Sequence, residues 1–458
     1  MTDSISLLWL RRDLRLSDHA ALIAAVAEGP VIPVYILDDD TPKHRRMGGA
    51  SRWWLHHSLA ALDTALRGKG SRLILRRGVA ATVLAELAAQ TGATRVHCIR
   101  HYEPWWRNAE RAVAQTLDLV CHDGNYLEPP GSITTGAGQP YKIYTPFWRA
   151  LSDQMPPPPP APAPDTIPAP AHWPASDTLA HWQLLPTKPD WAPGFAQEWA
   201  PGEAGAQERL ADFLPHAGGY DTGRNLPSDE LTSRLSPHLH FGEISPATVW
   251  HGILAAKGDA TVYLKEIAWR DYAQNVIQQY PDYGRANGRP SLDTLAWRSG
   301  PEADADLAAW QQGRTGYPIV DAGMRQLWTS GWLHNRVRMI TASFLIKHLL
   351  IDWRRGEQWF WDCLVDADYG SNTVNWQWVA GTGIDANMFS RIMAPLTQSV
   401  KFDAAGYIRE WVPELAGLSD ETIHDPDAFG RRPRDYPAKI IGHREGRERA
   451  LAALQRTR

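Results

Sequence analysis

Apolar runs alternate with amphipathic helical patterns along the first part of the chain. The runs ISLLWL (5–10), VIPVYILD (31–38), SRLILRRG (71–78) and RVHCIR (95–100) are nearly continuous in apolar residues. Strands of this kind are buried on both faces, which is typical of a parallel sheet covered by helices. The pattern therefore predicts an α/β domain over residues 1–128.

The turn after the first run lacks a GxGxxG motif. The sequence thus predicts a Rossmann-like parallel sheet without the dinucleotide-binding fingerprint. In such a sheet, the crevice at the carboxyl ends of the strands is the expected position for a ligand.

The composition changes between residues 129 and 203. This stretch contains MPPPPPAPAPDTIPAPAHWPA, in which proline prevents a helix or a central strand. Scattered tryptophans favour a long linker that lies on the protein surface. From residue 204 to residue 458 the patterns are helical, with capping and breaking residues between them, and they predict an all-α domain.

Overall composition narrows the class of protein. The 458 residues are 43% hydrophobic and 21% charged, with a formal charge of −4, so any DNA-binding surface must be a local basic patch. We expect a cytoplasmic protein that does not enter a membrane, because no signal peptide or apolar run of about 18 residues occurs. The three cysteines, Cys98, Cys121 and Cys363, lack metal-ligand spacing, and we expect buried free thiols and no metal site.

The segment from Trp310 to Trp378 is rich in both tryptophan and positive charge. Residues 325–355 contain several basic residues but only one acid, Asp352. Aromatic planes interleaved with positive charge suit a flat π-system, a polyanion or both. The basic residues are Arg325, Arg336, Arg338, Lys347, Arg354 and Arg355.

Two motifs before this segment have both a structural and a ligand-binding interpretation. In TSRLSPHLHFGEIS (232–245), hydroxyls and turn amides could hold phosphate, although such residues more often cap helices. In EIAWRDY, Glu266 lies one turn before Trp269 and Arg270, which fits an i,i+4 ion pair beside a core tryptophan or a ligand cavity.

Two further motifs lie within the tryptophan-rich segment. In WLHNRVRMITASF, Asn335, Arg336 and Met339 share one side of a helix whose other side is apolar, and amide and guanidinium donors suit bases and phosphates. In DADYGSNTVNWQW (366–378), a metal site is conceivable, but no histidine lies near the acids. Acceptors for the N–H groups of a heterocycle fit this motif better.

Together these motifs, in this order, resemble the photolyase/cryptochrome flavoprotein family. The resemblance covers nearly the whole chain and includes LWLRRDLRLSDHAAL, RTGYPIVDAGMRQLWTSGWLHNRVRMITASFLIK and KFDAAGYIREWVPEL. It implies an N-terminal α/β antenna domain, a long linker and an α-helical domain that binds FAD.

The resemblance also implies roles for individual residues around the flavin. Arg338 and Asp366 are similar to an ion pair over the isoalloxazine, Asp368 to an acid at its pyrimidine edge, and Asn372 to a residue facing flavin N5. Plant cryptochromes typically carry aspartate at this last position, so asparagine favours repair. The remaining cofactor-binding residues implied are Tyr220, Thr232, Ser233, Arg234, Leu235, Ser236, Glu266, Trp269 and Arg270.

Three tryptophans, Trp376, Trp353 and Trp310, resemble the electron-transfer triad that reduces the flavin in light. A second set resembles the pocket of photolyases that split cyclobutane pyrimidine dimers, and Arg224 and Arg391 resemble arginines that contact DNA phosphates. The pocket set consists of Glu266, Trp269, Asn335, Arg336, Met339 and Trp378.

Two segments depart from the family pattern. DANMFSRIMAPLTQ (385–398) replaces a common Pro-aromatic-Phe-Arg-Ile-Phe-Asn-Pro pattern, and HYEPWWRNAERAV (101–113) lacks an Asn-Glu pair of folate-binding members. We expect an antenna chromophore, with methenyltetrahydrofolate as the first candidate and a deazaflavin as the second. The function implied is light-driven repair of cyclobutane pyrimidine dimers in UV-damaged DNA by a monomer. The alternative is a blue-light photoreceptor of the cryptochrome type.

Overall fold

The computed structural model describes residues 4–386 and 388–457. Residues 1–3 and Asn387, which belongs to the segment that departs from the family pattern, lie outside the described residues. Five parallel strands form one sheet in the order β3-β2-β1-β4-β5, which confirms the predicted α/β fold and adds a fifth strand. The strands are β1 (Ser6–Leu10), β2 (Val31–Leu37), β3 (Ile74–Arg77), β4 (Arg95–Ile99) and β5 (Asp118–His122).

Helices cover both faces of the sheet. Alternate residues of β1 point to opposite sides, so that Leu8 and Leu10 pack in one apolar cluster with α1 and α2. Leu7 and Trp9 pack in another cluster with α3 and α4. Burial on both faces explains the continuous apolar runs in the sequence. These helices are α1 (Ala20–Glu28), α2 (Gly49–Gly68), α3 (Ala80–Thr91) and α4 (Pro104–Ala114).

The proline-rich stretch is packed against the rest of the chain. Trp182 and Trp199 are buried in the same cluster as α2, and the ring of Trp199 lies 5.4 Å from that of Trp54. The stretch contains α5 (Tyr144–Ser152), α6 (Leu179–Trp182) and α7 (Phe195–Glu198). The domain boundaries at residues 128/129 and 203/204 stay predictions.

The rest of the described chain is helical, as predicted. Its core is formed where α12 packs on α17, α14 on α19 and α15 on α17. A π-helical turn, Phe344–His348, continues α15. None of the helices in the described part of the chain is long and apolar enough to cross a membrane.

The longer helices are α8 (Glu203–Phe213), α11 (Pro246–Ala255), α12 (Thr261–Gln279), α13 (Pro301–Gln311), α14 (Pro318–Ser330), α15 (Asn335–Ser343), α16 (Trp353–Cys363), α17 (Tyr369–Ala380) and α21 (His443–Gln455). The shorter ones are α9 (Tyr220–Gly223), α10 (Ser236–His240), α18 (Pro395–Lys401), α19 (Ala405–Trp411) and α20 (Asp420–Ile423).

Buried polar contacts join the α/β part to the helical part. Arg45 donates from Nη1 to both carboxylate oxygens of Glu357, at 2.6 and 2.9 Å. The indole of Trp54 donates to Glu243 at 2.9 Å. Because these groups are buried, losing one partner would leave a buried polar group unpaired, which is strongly destabilising.

Candidate functional site

Arg338 and Asp366 form a two-pronged ion pair between α15 and the segment that follows α16. The two Nη–Oδ distances are 3.2 and 2.8 Å, and the Arg338 Nε donates to the carbonyl of Leu333 at 2.9 Å. The hydroxyl of Ser236 donates to the same carboxylate at 2.6 Å. This pairing links the 232–236 segment to α15, and it fixes the plane of the guanidinium.

Asp368 is the N-cap of α17 and accepts from the backbone N–H of Ser371 at 2.7 Å. His240 and Arg12 approach its Oδ2 to 3.8 and 3.9 Å. Burial alone would raise the pKa of Asp368, but its neighbours His240 and Arg12 lower the pKa well below the usual range. The group is therefore an anionic acceptor at neutral pH.

Asn372 lies one turn further along α17. Its side-chain NH2 donates to the Glu357 carboxylate at 2.9 Å and to the Glu357 carbonyl at 3.3 Å. A carboxylate cannot donate, so the amide must present its nitrogen to Glu357. The carbonyl oxygen of the amide, Oδ1, consequently points away from Glu357.

Glu266 pairs with Arg224 rather than with Arg270. The Arg224 guanidinium contacts the Glu266 carboxylate and lies 5.4 Å from the ring centre of Tyr220. Arg270 instead donates to the carbonyl of Leu239 at 3.0 Å. The i,i+4 ion pair considered from the sequence is therefore wrong, because each partner has a nearer contact from another element.

The 232–236 segment is held by hydroxyl contacts. Tyr263 donates to Ser233 Oγ at 3.0 Å, and Tyr263 packs 5.0 Å from Tyr220. Thr232 is half-buried and Leu235 is fully buried beside them.

The side chain of Arg234 turns toward the linker. Its guanidinium pairs with Glu198 at 2.9 Å and lies between the rings of Trp199 and Trp332, 4.8 and 4.9 Å from their centres. Its φ of 50° is the left-handed conformation that few residues other than glycine adopt. A cofactor contact at this position would therefore have to come from the backbone.

The first turn of α15 presents polar groups outward. Asn335 is exposed, and Arg336 contacts Asn225 while its Nη1 lies 3.8 Å from the Sδ of Met339. His334 caps the helix by accepting from the Arg336 N–H at 3.2 Å. Burial, and then the charges of Arg336 and Arg338, lower the pKa of His334 to about 4.

Two half-buried tryptophans lie on packed helices, Trp269 on α12 and Trp378 on α17. Trp269 packs 4.6 Å from Tyr144. Its indole N–H is buried without a hydrogen-bond partner among the described residues, as are Nη1 of Arg270 and both ring nitrogens of His240. These polar groups are therefore free to bond a ligand.

Arg391 lies in the segment before α18, where its backbone N–H donates to the carbonyl of Met388 at 2.9 Å. Lys347, on the π-helical turn, holds this segment by donating to the carbonyls of Ala380 at 3.0 Å and Phe389 at 2.7 Å. The position of Arg391 thus depends on a buried lysine that the sequence did not connect with it.

Trp376 and Trp310 belong to one buried aromatic group. Their ring centres are 6.4 Å apart, and Phe360 lies 5.0 Å from Trp376 and 6.0 Å from Trp310. Trp353 is fully buried and donates to Asn287 at 3.0 Å, but within the described residues it makes no ring contact with the other two. The structure therefore joins two of the three tryptophans directly.

A separate cavity of about 720 Å³ lies on the helical domain beside α14, α16 and α19. The rings of Trp328 and Trp359 are nearly parallel, with 5.7 Å between their centres and 3° between their planes. Trp411 lines the same cavity, and its buried indole N–H has no partner among the described residues. Gln311 and Gln312 add amide groups to the wall. These walls suit a flat heteroaromatic ring.

Four polar residues around Asp368 and Asn372 were not predicted from the sequence. Arg12 and Arg45 come from the α/β domain, and His240 and Glu357 come from the helical domain. The positions of Arg45 and Glu357 are 312 apart in sequence, so no local spacing could connect them. A buried cation and a buried acid each require a partner, but only the fold identifies it.

Two family models match the chain. The one described as DNA photolyase matches residues 6–165, and the one described as the FAD binding domain of DNA photolyase matches residues 263–456. The matches cover the α/β part and most of the helical part.

Individual relatives match along the whole chain. A deoxyribodipyrimidine photo-lyase from Agrobacterium fabrum is 48% identical over 98% of this chain and 97% of its own length. A class III photolyase crystal structure from Agrobacterium tumefaciens covers 100% of this chain and 98% of its own, with 46% identity and a TM-score of 0.95. Cryptochrome-1 from Arabidopsis thaliana is 35% identical over 98% of this chain and 70% of its own length.

Proposed function

Since the chain belongs to the DNA photolyase/cryptochrome family, we propose that it is a light-driven lyase that splits cyclobutane pyrimidine dimers in DNA. The observation that carries this proposal is the full-length similarity to a deoxyribodipyrimidine photo-lyase, at 48% identity against 35% for the cryptochrome. Asparagine at position 372 agrees with repair, because plant cryptochromes typically carry aspartate there. Arg338 of α15, and Asp368 and Asn372 at the start of α17, supply the positive charge and the hydrogen-bond acceptors for a flavin in such a reaction.

FAD is the cofactor that the helical domain binds, in agreement with the match to the FAD binding domain. The unpaired buried nitrogens of Trp269, Arg270 and His240 fit a large polar cofactor. Bound and excited by light, the reduced flavin supplies one electron to the substrate. We assign its binding to the Arg338–Asp366 pair, Asp368 and Asn372, with Tyr220, Thr232, Ser233, Arg234, Leu235 and Ser236 along its phosphates and ribose.

Each of these residues has a separate task in the proposed site. The Asn372 Oδ1 would be available to accept a hydrogen bond from flavin N5, because its NH2 is already held by Glu357. Asp368, an anion at neutral pH, accepts from the N–H edge of the ring. The positive guanidinium of Arg338 stabilises a negatively charged ring.

In the proposed binding mode, the damaged bases stack on Trp269 of α12 and Trp378 of α17, which are both half-buried. Extruding a dimer costs less than extruding an intact base pair, because its pairing is already weakened, and each stacked base gains about 1–3 kcal/mol. Glu266, when protonated or bridged by the donor amide of Asn335, would hold the carbonyl groups of the dimer and stabilise the negative charge that develops there, with Met339 beside it. Arg224, Arg336 and Arg391 hold the DNA phosphates without reading sequence.

The tryptophans provide a route by which oxidised flavin is reduced in light. In the proposed route Trp376 would supply an electron to the oxidised flavin, and Trp353 and Trp310 would complete the triad. The ring centres of Trp376 and Trp310 are 6.4 Å apart, which supports electron transfer between these two residues.

An antenna chromophore is the second cofactor that we propose, methenyltetrahydrofolate first and a deazaflavin second. Two observations favour the cavity beside Trp328, Trp359 and Trp411: its nearly parallel rings and its unpaired indole N–H. At the carboxyl edge of the sheet, by contrast, Arg11 and Arg12 are paired with Glu110 and Glu103. Trp328→Ala should therefore release a chromophore that absorbs near the ultraviolet, while the FAD spectrum stays unchanged.

One experiment tests the proposed function. The purified protein, which we propose to be a cytoplasmic monomer, is illuminated with DNA that contains cyclobutane dimers, and dimer loss is measured beside the absorbance spectrum. Light-dependent loss of these dimers is the expected result. Flavin photoreduction without dimer loss would favour the cryptochrome alternative, and loss of (6-4) lesions instead would overturn the assignment of the pocket.

A further inference from the structure

Cys98 and Cys121 lie opposite each other on neighbouring strands of the sheet, away from the proposed flavin site. They are register partners on β4 and β5, and their sulfur atoms are 3.6 Å apart. Cys98 is fully buried, whereas Cys121 is half-buried on the edge strand. The pair thus has one thiol that small molecules can reach and a second thiol in contact behind it.

The surroundings of the pair shift the pKa values of its two thiols in opposite directions. Arg11 is buried beside it, with its guanidinium 2.8 Å from a carboxylate oxygen of Glu110 and 4.2 Å from the ring centre of Trp9. The Cys98 contact lowers the pKa of the Cys121 thiol despite the opposing effect of burial. The same contact, together with burial, raises the pKa of Cys98. The pKa shifts therefore favour thiolate formation at the accessible sulfur and oppose it at the buried one.

We propose that Cys98 and Cys121 are a reversible dithiol–disulfide modification site, oxidised by low-molecular-weight disulfides. The Cys121 thiolate attacks one sulfur of the disulfide RSSR, forming a Cys121–SR bond and releasing RS⁻. The Cys98 thiol then loses its proton and attacks the Cys121 sulfur, which releases the second RS⁻. Two electrons pass from the cysteines to RSSR, and the two protons that the thiols give up to solvent protonate the two RS⁻, so the products are one protein disulfide and two RSH.

The geometry allows this step with little rearrangement. A disulfide bond is about 2.05 Å long, so the two sulfurs must close by about 1.5 Å, within the reach of a rotation about the Cα–Cβ bonds. The bond would join the edge strand β5 to the neighbouring strand β4. Cys363, which is buried on α16 away from these strands, is a natural internal control.

A metal site is the competing interpretation of the same cluster. The sulfurs of Cys98 and Cys121 and a carboxylate oxygen of Glu110 lie within 4.8 Å of one another. However, Glu110 is already neutralised by Arg11 and accepts from the His101 N–H at 3.0 Å. A buried guanidinium beside the two thiols opposes the entry of a cation, whereas it assists a thiolate.

The test uses the full-length protein with its flavin bound, exposed to increasing ratios of oxidised to reduced glutathione. After quenching and denaturation, free thiols are alkylated and counted by intact-mass and peptide mass spectrometry. We expect the wild type to lose two of its three alkylatable cysteines, Cys98 and Cys121, without a glutathione adduct. Dithiothreitol should restore both.

Two single variants test the order of attack. Cys98→Ser should retain one glutathione on Cys121, because no second thiol releases it, and Cys121→Ser should remain unmodified. Cys98→Ala is a second variant should the serine disturb the core, and circular dichroism checks the fold of each. The proposal is overturned if all three wild-type cysteines remain alkylatable, or if Cys121→Ser is modified as readily as Cys98→Ser. One equivalent of Zn²⁺ retained after dialysis only when both cysteines are present would establish the metal site instead.

Discussion

Asn372 donates its side-chain amide to Glu357, with 2.9 Å between Nδ2 and Oε1. Glu357 is fully buried and is itself held by Arg45 of the α/β domain. Arg45 can only donate and the Glu357 carboxylate can only accept, so the Asn372 amide must turn its NH2 toward Glu357. The α/β domain therefore helps to set the acceptor that we assign to flavin N5.

Replacing Glu357 with glutamine should accelerate the reoxidation of the reduced flavin. Glutamine offers a donor as well as an acceptor, so the Asn372 amide can turn its NH2 toward N5 and lose the favourable contact. The loss of one such hydrogen bond, about 1.4 kcal/mol, corresponds to an approximately tenfold faster rate. The rate is measured by absorbance in air after photoreduction.

The matched control for this variant is Asp362→Asn on the same helix. Asp362 accepts from the backbone of Gly49 and does not contact Asn372. Its reoxidation rate should equal that of the wild type. Equal rates in Glu357→Gln and the wild type would show that Glu357 stabilises the fold without orienting the amide.

Glu266→Ala should lower the quantum yield of dimer splitting by more than it lowers DNA affinity. The substitution removes the group that stabilises charge on the dimer, and it frees Arg224, now paired with Glu266, to attract phosphate. Yield and binding are measured with the same dimer-containing oligonucleotide. Glu208→Ala, an exposed position on α8, is the control. Unchanged yield with lost affinity would reverse the assigned roles.

Trp376→Phe should block the photoreduction of oxidised FAD while repair by pre-reduced enzyme is largely retained. Phenylalanine keeps the packing against Phe360 but is much harder to oxidise than tryptophan. Trp310→Phe and Trp353→Phe then show which partner extends the route, and we expect a slower rather than an abolished reaction in each. Transient absorption follows photoreduction, and Trp250→Phe on α11 is the control. Loss of repair in the pre-reduced variant, with FAD still bound, would contradict the triad assignment.

The sequence predicted those features that depend on neighbouring residues. Continuous apolar runs predicted the strands, and the resemblance predicted the Arg338–Asp366 pairing, which the structure contains. The ion pair of Glu266 with Arg270 was a wrong prediction, because local spacing offers Arg270, while the fold brings in Arg224 from the C-cap of α9. The Cys98–Cys121 contact was equally hidden, since strand register decides it. Long-range pairing of polar groups is decided by tertiary packing, which local patterns do not encode.

The fold should lose stability through His334 as the pH falls below its ordinary pKa. Burial and the charges of three arginines lower the pKa of His334 from 6.5 to about 4, so the native state holds the neutral ring more strongly than the unfolded chain does. A depressed pKa of this kind leaves stability intact above pH 6.5 and reduces it progressively between pH 6.5 and about 4.

His334→Asn keeps an acceptor at the N-cap of α15 but cannot be protonated. Between pH 7 and pH 5 the wild type should lose about 2 kcal/mol more of its free energy of unfolding than this variant loses. Urea unfolding at both pH values measures the difference, with the exposed His172→Asn as control. Parallel pH profiles of wild type and His334→Asn would show that the buried imidazole does not resist protonation.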